Sequence, residues 1–249
     1  MIFIAIFSVI SNTASAYDKN YSWYIKRNGN KRPQIQPEQN IIYNYDGYYI
    51  DKKVTDDDSR KVIYLTFDLG YENGNTEKIL DILCEEKIPA AFFVLDNIIL
   101  KNTDLVTRML DEGHLVCNHT KNHKNICNMS NEEIQKNITE LENLFEEKTG
   151  QKIAKYFRFP EGKYSEKALK CIQALGYKTI FWSFAYDDWD NNRQPDKDKA
   201  LRKILDNTHN GAVMLFHPTS RTNAEIFKQL ILEWSEAGYS FGTLDELVL

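Results

Sequence analysis

The sequence predicts an α/β architecture built on a parallel sheet, and three observations carry that reading. From Val62 onward, short β-rich apolar runs alternate with segments of helical spacing. Gly113, Gly150, Gly176 and Gly238 each follow one of those segments, where a left-handed residue commonly ends a helix. The 249 residues, 42% of them hydrophobic, suffice to bury one good core, so one folded domain is expected. Strand–helix alternation of this length gives either an open doubly wound sheet or a barrel.

Taken in order, residues 1–16 read as a signal peptide. Positions 2–10 are almost entirely apolar, and Ala14-Ser15-Ala16 before Tyr17 supplies a small-residue cleavage site. The run is shorter than the roughly 20 apolar residues that span a bilayer. No Lys or Arg precedes it, a departure from the usual basic start. Export to the extracytoplasmic side is expected, with no stable membrane span after cleavage; an uncleaved anchor or a buried N-terminal strand is the competing reading.

Residues 17–60 form an N-terminal extension. Tyr21, Trp23, Tyr24, Tyr43, Tyr45, Tyr48 and Tyr49 are interspersed with polar residues and follow no sustained period, which suggests an aromatic-rich arm wrapped on the domain at 61–249. In that domain strands are expected at 62–67, 90–95, 115–118, 156–159, 179–183, 213–216 and 239–243. Helices are expected at 76–86, 104–112, 131–148, 166–175, 198–207 and 223–237.

The formal charge is −5 and the basic residues are scattered rather than striped, which argues against nucleic acid as a partner. Cys84, Cys117, Cys127 and Cys171 would permit two disulfides after export, but their spacing matches no zinc pattern, and they read as small buried hydrophobes.

The chemistry-bearing residues fall at strand ends. Asp68 closes the first expected strand, His119 the third and His217 the sixth; Arg158 lies near the end of the fourth, and Asp187 and Asp188 follow the fifth. In parallel α/β folds the carboxyl ends of the strands share one face, which carries the active site. An Asp after a strand is by itself usually a turn or cap residue; five segments delivering a base, an imidazole, a cation, carboxylates and an acid to one rim are not. His119 and His123, four apart, are expected to share a helical turn and one metal ion.

In this order the motifs resemble the NodB-type polysaccharide deacetylases. Thr66-Phe67-Asp68-Leu69-Gly70, His119 to His123, Arg158-Phe159-Pro160-Glu161-Gly162, Asp187-Asp188-Trp189 and Leu215-Phe216-His217 look like its five motifs, across 62–247. Tyr71-Glu72-Asn73-Gly74, Phe181-Trp182-Ser183 and Ser220 to Glu225 are similar to the spore-cortex subgroup, whose members remove acetyl groups from muramic acid on the way to muramic δ-lactam. The resemblance implies a distorted (β/α) barrel of seven parallel strands. It implies Asp68 as base, His217 as acid, Arg158 orienting Asp68, Asp188 tuning His217, and a divalent ion, zinc or similar, on His119 and His123. It also implies that Leu215 lines the acetyl pocket and that the Glu161 backbone N–H is an oxyanion donor. Leu69 departs from the family pattern, which places a metal-binding Asp there, so the expected ion is weakly held and activity without it is conceivable.

For substrate, Tyr186 and Trp189 are expected to stack on sugar faces, and Arg221 either binds the lactyl carboxylate of muramic acid or caps the following helix. The expected partner is a peptidoglycan glycan strand in the cell wall or spore cortex. Deacetylation of chitin-like or acetyl-ester glycans, and a catalytically silent glycan-binding barrel, are the alternatives.

Overall fold

The structure is a computed structural model that describes residues 19–249; the signal-peptide assignment at 1–16 lies outside the described residues. The arm contributes β1 (Asn20–Ser22), a 3₁₀ segment over Pro37–Tyr45 and β2 (Gly47–Tyr48). The chain continues through β3 (Lys61–Leu69), α1 (Thr76–Glu86), β4 (Ala91–Val94), α2 (Asp96–Lys101), α3 (Thr103–Asp111), β5 (Leu115–Asn118) and α4 (Asn131–Thr149). Next come β6 (Ala154–Phe157), β7 (Lys163–Ser165), α5 (Glu166–Ala174), β8 (Lys178–Ile180) and α6 (Lys197–Leu205). The chain ends with β9 (Ala212–Phe216), α7 (Arg221–Glu236), β10 (Tyr239–Phe241) and α8 (Leu244–Val248).

An eight-stranded sheet runs β10-β3-β4-β5-β6-β8-β2, with β9 along the other edge of β3, and every pairing in it is parallel. All seven expected strands are present, and β2 of the arm adds the eighth. Past β8, the N–H groups of Ser183 and Phe184 donate to the Val213 carbonyl at 3.0 and 3.3 Å, and the Leu215 N–H donates to Phe184 at 2.9 Å. The exit of β8 thus meets β9, and the sheet curls into a distorted barrel instead of staying open.

β3 shows how sequence sets the layers. It is buried almost throughout, as a strand covered on both faces must be. Its period of two sends Ile63, Leu65, Phe67 and Leu69 into one core cluster with residues of α1 and α7, while Val62 and Tyr64 join Phe93, Ile180 and Val213 in another. Thr66 and Asp68 share the second face, so Asp68 closes a row pointing into the barrel.

The arm is part of this packing. β1 pairs antiparallel with β7, and Trp23 stacks on Phe181 with ring centroids 4.3 Å apart. The Trp23 indole donates to the Trp182 carbonyl at 2.9 Å, and its backbone N–H donates to Gly162 at 2.8 Å. Gly162 has φ of +65°, and a Cβ there would lie 2.7 Å from the Trp23 Cβ, so both backbone and contact require glycine. Trp23→Ala is expected to cost about 3–5 kcal/mol, measured by urea unfolding; a loss below about 1 kcal/mol would mean that the indole does not hold the arm down.

Of the cysteines, Cys117 and Cys127 are buried, whereas Cys84 is exposed and Cys171 partly so. The reading of all four as buried hydrophobes is therefore corrected: α1 and α5 turn Cys84 and Cys171 toward the solvent side of their helices.

Candidate active site

Asp68, His119, Arg158 and His217 come from the carboxyl ends of β3, β5, β6 and β9, as the alternation places them. A cleft of about 800 Å³ opens above these ends, lined by Asp68, His119, His123, Glu161, Leu215 and His217, with Leu69, Asp187 and Trp189.

Arg158 is fully buried beneath it. Its Nη1 donates to Asp68 Oδ1 at 2.8 Å, its Nη2 to Thr66 Oγ1 at 2.9 Å and its Nε to the Ile180 carbonyl at 3.0 Å, with the guanidinium carbon 4.1 Å from the Phe93 ring centroid. These contacts fix the carboxylate in one orientation. Burial opposes ionisation of Asp68, but electrostatic interaction with His119, Arg158 and His217, with the Arg158 hydrogen bond, outweighs it and holds its carboxyl below the usual range. Asp68 is therefore an anion at neutral pH.

His119 Nδ1 lies 2.9 Å from the Arg158 carbonyl. A carbonyl only accepts, so Nδ1 carries the proton and the Nε2 lone pair is left toward the cleft. Burial brings the pKa of this imidazole down to about 4, so it stays neutral. Its buried Nε2 has no hydrogen-bond partner and stands 3.4 Å from Asp68 Oδ2. The His119 and His123 rings lie 5.0 Å apart, edge to face. A loop, not a helical turn, brings them together, which corrects the expectation from their spacing. Thr120 and His123 take left-handed φ values of 70° and 58°, and the loop is tied by Thr120 N–H to Asn118 and Lys121 N–H to Asn137, both at 2.9 Å. Left-handed backbone at a β-branched residue is held only where the surroundings insist on it.

The orphaned Nε2, with its Nδ1–H anchored to a carbonyl, is the arrangement of a metal-binding histidine. With His123 it offers two imidazole ligands. Among the described residues no group of three or more His, Cys, Asp and Glu side chains is arranged around a cation. Leu69 belongs to the core cluster under α1 and adds no donor. The residues present therefore fit an ion that would be held by two imidazoles, His119 and His123.

Across the cleft, Asp188 is buried. Its Oδ1 lies 2.8 Å from His217 Nδ1, and its Oδ2 accepts from the His217 backbone N–H at 2.8 Å and from Asn223 Nδ2 at 2.7 Å. Burial works against protonation of His217, but Asp188 outweighs it and lifts the pKa above the ordinary histidine value. The carboxylate also fixes the tautomer, with Nε2 left for the cleft.

Of the remaining sequence-derived residues, Leu215 is buried at the cleft wall, Trp189 is 59% exposed at its rim, and Glu161 lines it with a left-handed φ of 56°. Two readings need correction. The Tyr186 ring is buried and its hydroxyl donates to Asn223 Oδ1, so it is committed to packing and cannot stack freely on a sugar. Arg221 stands at the first turn of α7 with its side chain 71% exposed, 3.9 Å from Glu225, and lines a separate polar hollow with Asn73, Asn191 and Gln194. The cap of α7 is Ser220, whose side chain accepts from Asn223 N–H, so Arg221 neither caps the helix nor reaches the cleft.

Sequence reasoning assigned no role to Thr66, Asn223 or Arg27. Thr66 was detectable, since it precedes Asp68 by two on the same strand face. Asn223 holds Asp188 from 35 positions away, and Arg27 reaches the Ala185 carbonyl across 158, with no local signal for either.

A barrel whose strand ends carry an ionised, arginine-oriented carboxylate, an imidazole pair and a carboxylate-tuned histidine defines a class of hydrolase. A family model described as polysaccharide deacetylase matches residues 55–180, and the chain belongs to that family, hydrolases of amide C–N bonds. It is similar to the peptidoglycan-N-acetylmuramic acid deacetylase PdaA of Bacillus subtilis, 36% identical over 229 residues, which cover 91% of this chain and 85% of the relative. The solved structure of Bacillus subtilis PdaA, a family 4 carbohydrate esterase, matches with a TM-score of 0.87 at 35% identity, over 92% of this chain and 97% of that one. A family 4 carbohydrate esterase from Bacillus anthracis matches with a TM-score of 0.75 at 35% identity, over 92% and 96% of the two chains.

Proposed function

We propose that the chain removes the N-acetyl group from muramic acid residues of peptidoglycan, on the extracytoplasmic side, as a step toward muramic δ-lactam in spore cortex. The observation that carries it is the pairing of opposites on one cleft: a carboxylate bound by Arg158 and an imidazole bound by Asp188, which raises its pKa. The choice of muramic acid rests on the relative of that specificity, matched over 91% of the chain. Among the described residues no helix is long and apolar enough to cross a membrane. The N-terminal apolar run supports export.

An amide is unreactive at its carbonyl and has a poor leaving group, so hydrolysis needs an activated water, a stabilised oxyanion and a proton for the amine. Asp68 accepts the proton of the attacking water, and its arginine clamp keeps the receiving oxygen aimed. The Glu161 backbone N–H donates to the developing oxyanion. Leu215 packs against the acetyl methyl and Trp189 against a sugar face. His217 Nε2 then delivers its proton to the departing nitrogen while Asp188 stabilises the imidazolium. A divalent ion on His119 and His123 would supply Lewis-acid polarisation of water and carbonyl when bound. Acetate leaves and a free amine remains beside the lactyl carboxylate of the same sugar, which is the geometry lactam closure requires.

The test is mass spectrometry of muropeptides after incubation of peptide-stripped peptidoglycan with the protein, with and without a strong chelator. Loss of one acetyl group per muramic residue is the expected result, lowered by chelation and recovered with added zinc. Acetyl loss confined to chitin oligomers would reassign the substrate, and none on either polymer would leave a glycan-binding barrel.

A further inference from the structure

Arg27 follows the arm segment that Trp23 pins to the barrel. Its Nη2 donates to the Ala185 carbonyl at 2.7 Å, and its guanidinium carbon lies 5.7 Å from the Phe184 ring centroid. Both contacts belong to the stretch leading from β8 toward Asp188. Held this way, Arg27 lines the same cleft as Asp68, His119, Leu215 and His217. Among the described residues it is the only Lys or Arg that does so. Arg158 lies beneath the floor, its donors committed to Asp68, Thr66 and Ile180.

The acidic residues that line the cleft are Asp68, Glu161 and Asp187, and Glu161 is engaged by Lys163. Asp68 is engaged by Arg158. Among the described residues Arg27 thus has a tether through one donor and no carboxylate partner of its own. A guanidinium presents five N–H donors in a rigid fork that matches a carboxylate. Sharing one donor with a carbonyl fixes its plane and leaves an edge for a ligand.

We propose that Arg27 binds a carboxylate carried by the sugar being deacetylated, which on muramic acid is the lactyl group freed of its peptide. This deepens the muramic-acid reading and rests on it. The arm is then a specificity element: it brings a cation to a cleft whose catalytic residues by themselves suit any N-acetyl sugar. A lactyl group still in amide linkage offers no negative charge for Arg27 to bind.

The experiment compares two substrates, a peptide-stripped glycan oligomer with free lactyl carboxylates and the same oligomer with those carboxylates converted to methylamides. The readout is the ratio of kcat/KM for the acid over the amide. Wild-type protein is expected to favour the acid. Arg27→Ala is expected to lower that ratio roughly 10- to 100-fold, the range for losing a charge-assisted hydrogen bond, mainly through KM for the acid. Arg27→Lys, which keeps the charge and disturbs the arm least, is expected to recover part of it.

If the wild type favours the acid and Arg27→Ala keeps the full preference, the inference is overturned while the muramic-acid reading stands. Equal rates on acid and amide by the wild type have the same meaning. A fall on both substrates in proportion would make Arg27 a support of the arm and likewise overturn the inference. Acetyl loss by the wild type from chitin oligomers alone would overturn both.

Discussion

Asp68→Asn is expected to lower kcat by about 10²–10⁴-fold, the usual contribution of a positioned general base, with KM changed little. The amide is nearly isosteric but cannot take a proton at neutral pH. The substitution also acts beneath the cleft, because it leaves the buried Arg158 cation without its anion. Breaking a buried pair from one side costs about 3–5 kcal/mol, so stability and turnover must be read separately. The control is the double variant Asp68→Asn with Arg158→Met, which removes both charges and is expected to regain stability in urea without regaining activity. Turnover by Asp68→Asn within tenfold of the parent would remove Asp68 from the role of base.

Asp188→Asn is the second large effect, and its signature is a displaced pH profile. His217 must be protonated to act as an acid, so activity falls as pH rises through its pKa. Burial pulls that pKa down, and Asp188 outweighs burial to place it above the ordinary 6.5. Neutralising position 188 leaves only the Asp68 charge to oppose burial, so the alkaline limb of kcat is expected to move to lower pH. The amide would also meet two N–H donors, from His217 and Asn223, at the place where Asp188 Oδ2 now accepts both. A loss of about 10²-fold at neutral pH is expected. A pH–rate series for both proteins tests it: a lower rate with an unmoved alkaline limb would show that Asp188 positions His217 without setting its charge.

Much of this was legible in the sequence, because covered parallel strands leave long apolar runs. The expected helix at 76–86 and strand at 115–118 match α1 and β5 residue for residue. At β6 the expectation ran two residues late, since the apolar character of Phe157 and Phe159 continues past the strand's end. Most of the missed elements are short: β2 spans two residues, β1 and β7 three each, α8 five and α2 six, too few to show a period. The rim residues were found because strand ends are encoded locally. His119 and His123 were placed near each other for the wrong reason, since helical spacing cannot reveal a left-handed loop. Arg221 was mislocated because sequence distance from His217 says nothing of the direction α7 takes. Arg27 and Asn223 act through contacts made only once the barrel has closed.

The arm has a further meaning for the order in which the molecule is made. A chain is synthesised from its N-terminus, yet the Trp23 indole bonds to a carbonyl 159 positions later and β1 pairs with residues 163–165. The arm, made before the barrel strands, is thus seated only after them, a long-range closure that local contacts cannot hasten. The wall bearing Arg27 is finished only after β8 and the stretch beyond it exist. A nascent chain therefore holds an incomplete cleft, and this hydrolase matures by docking its arm.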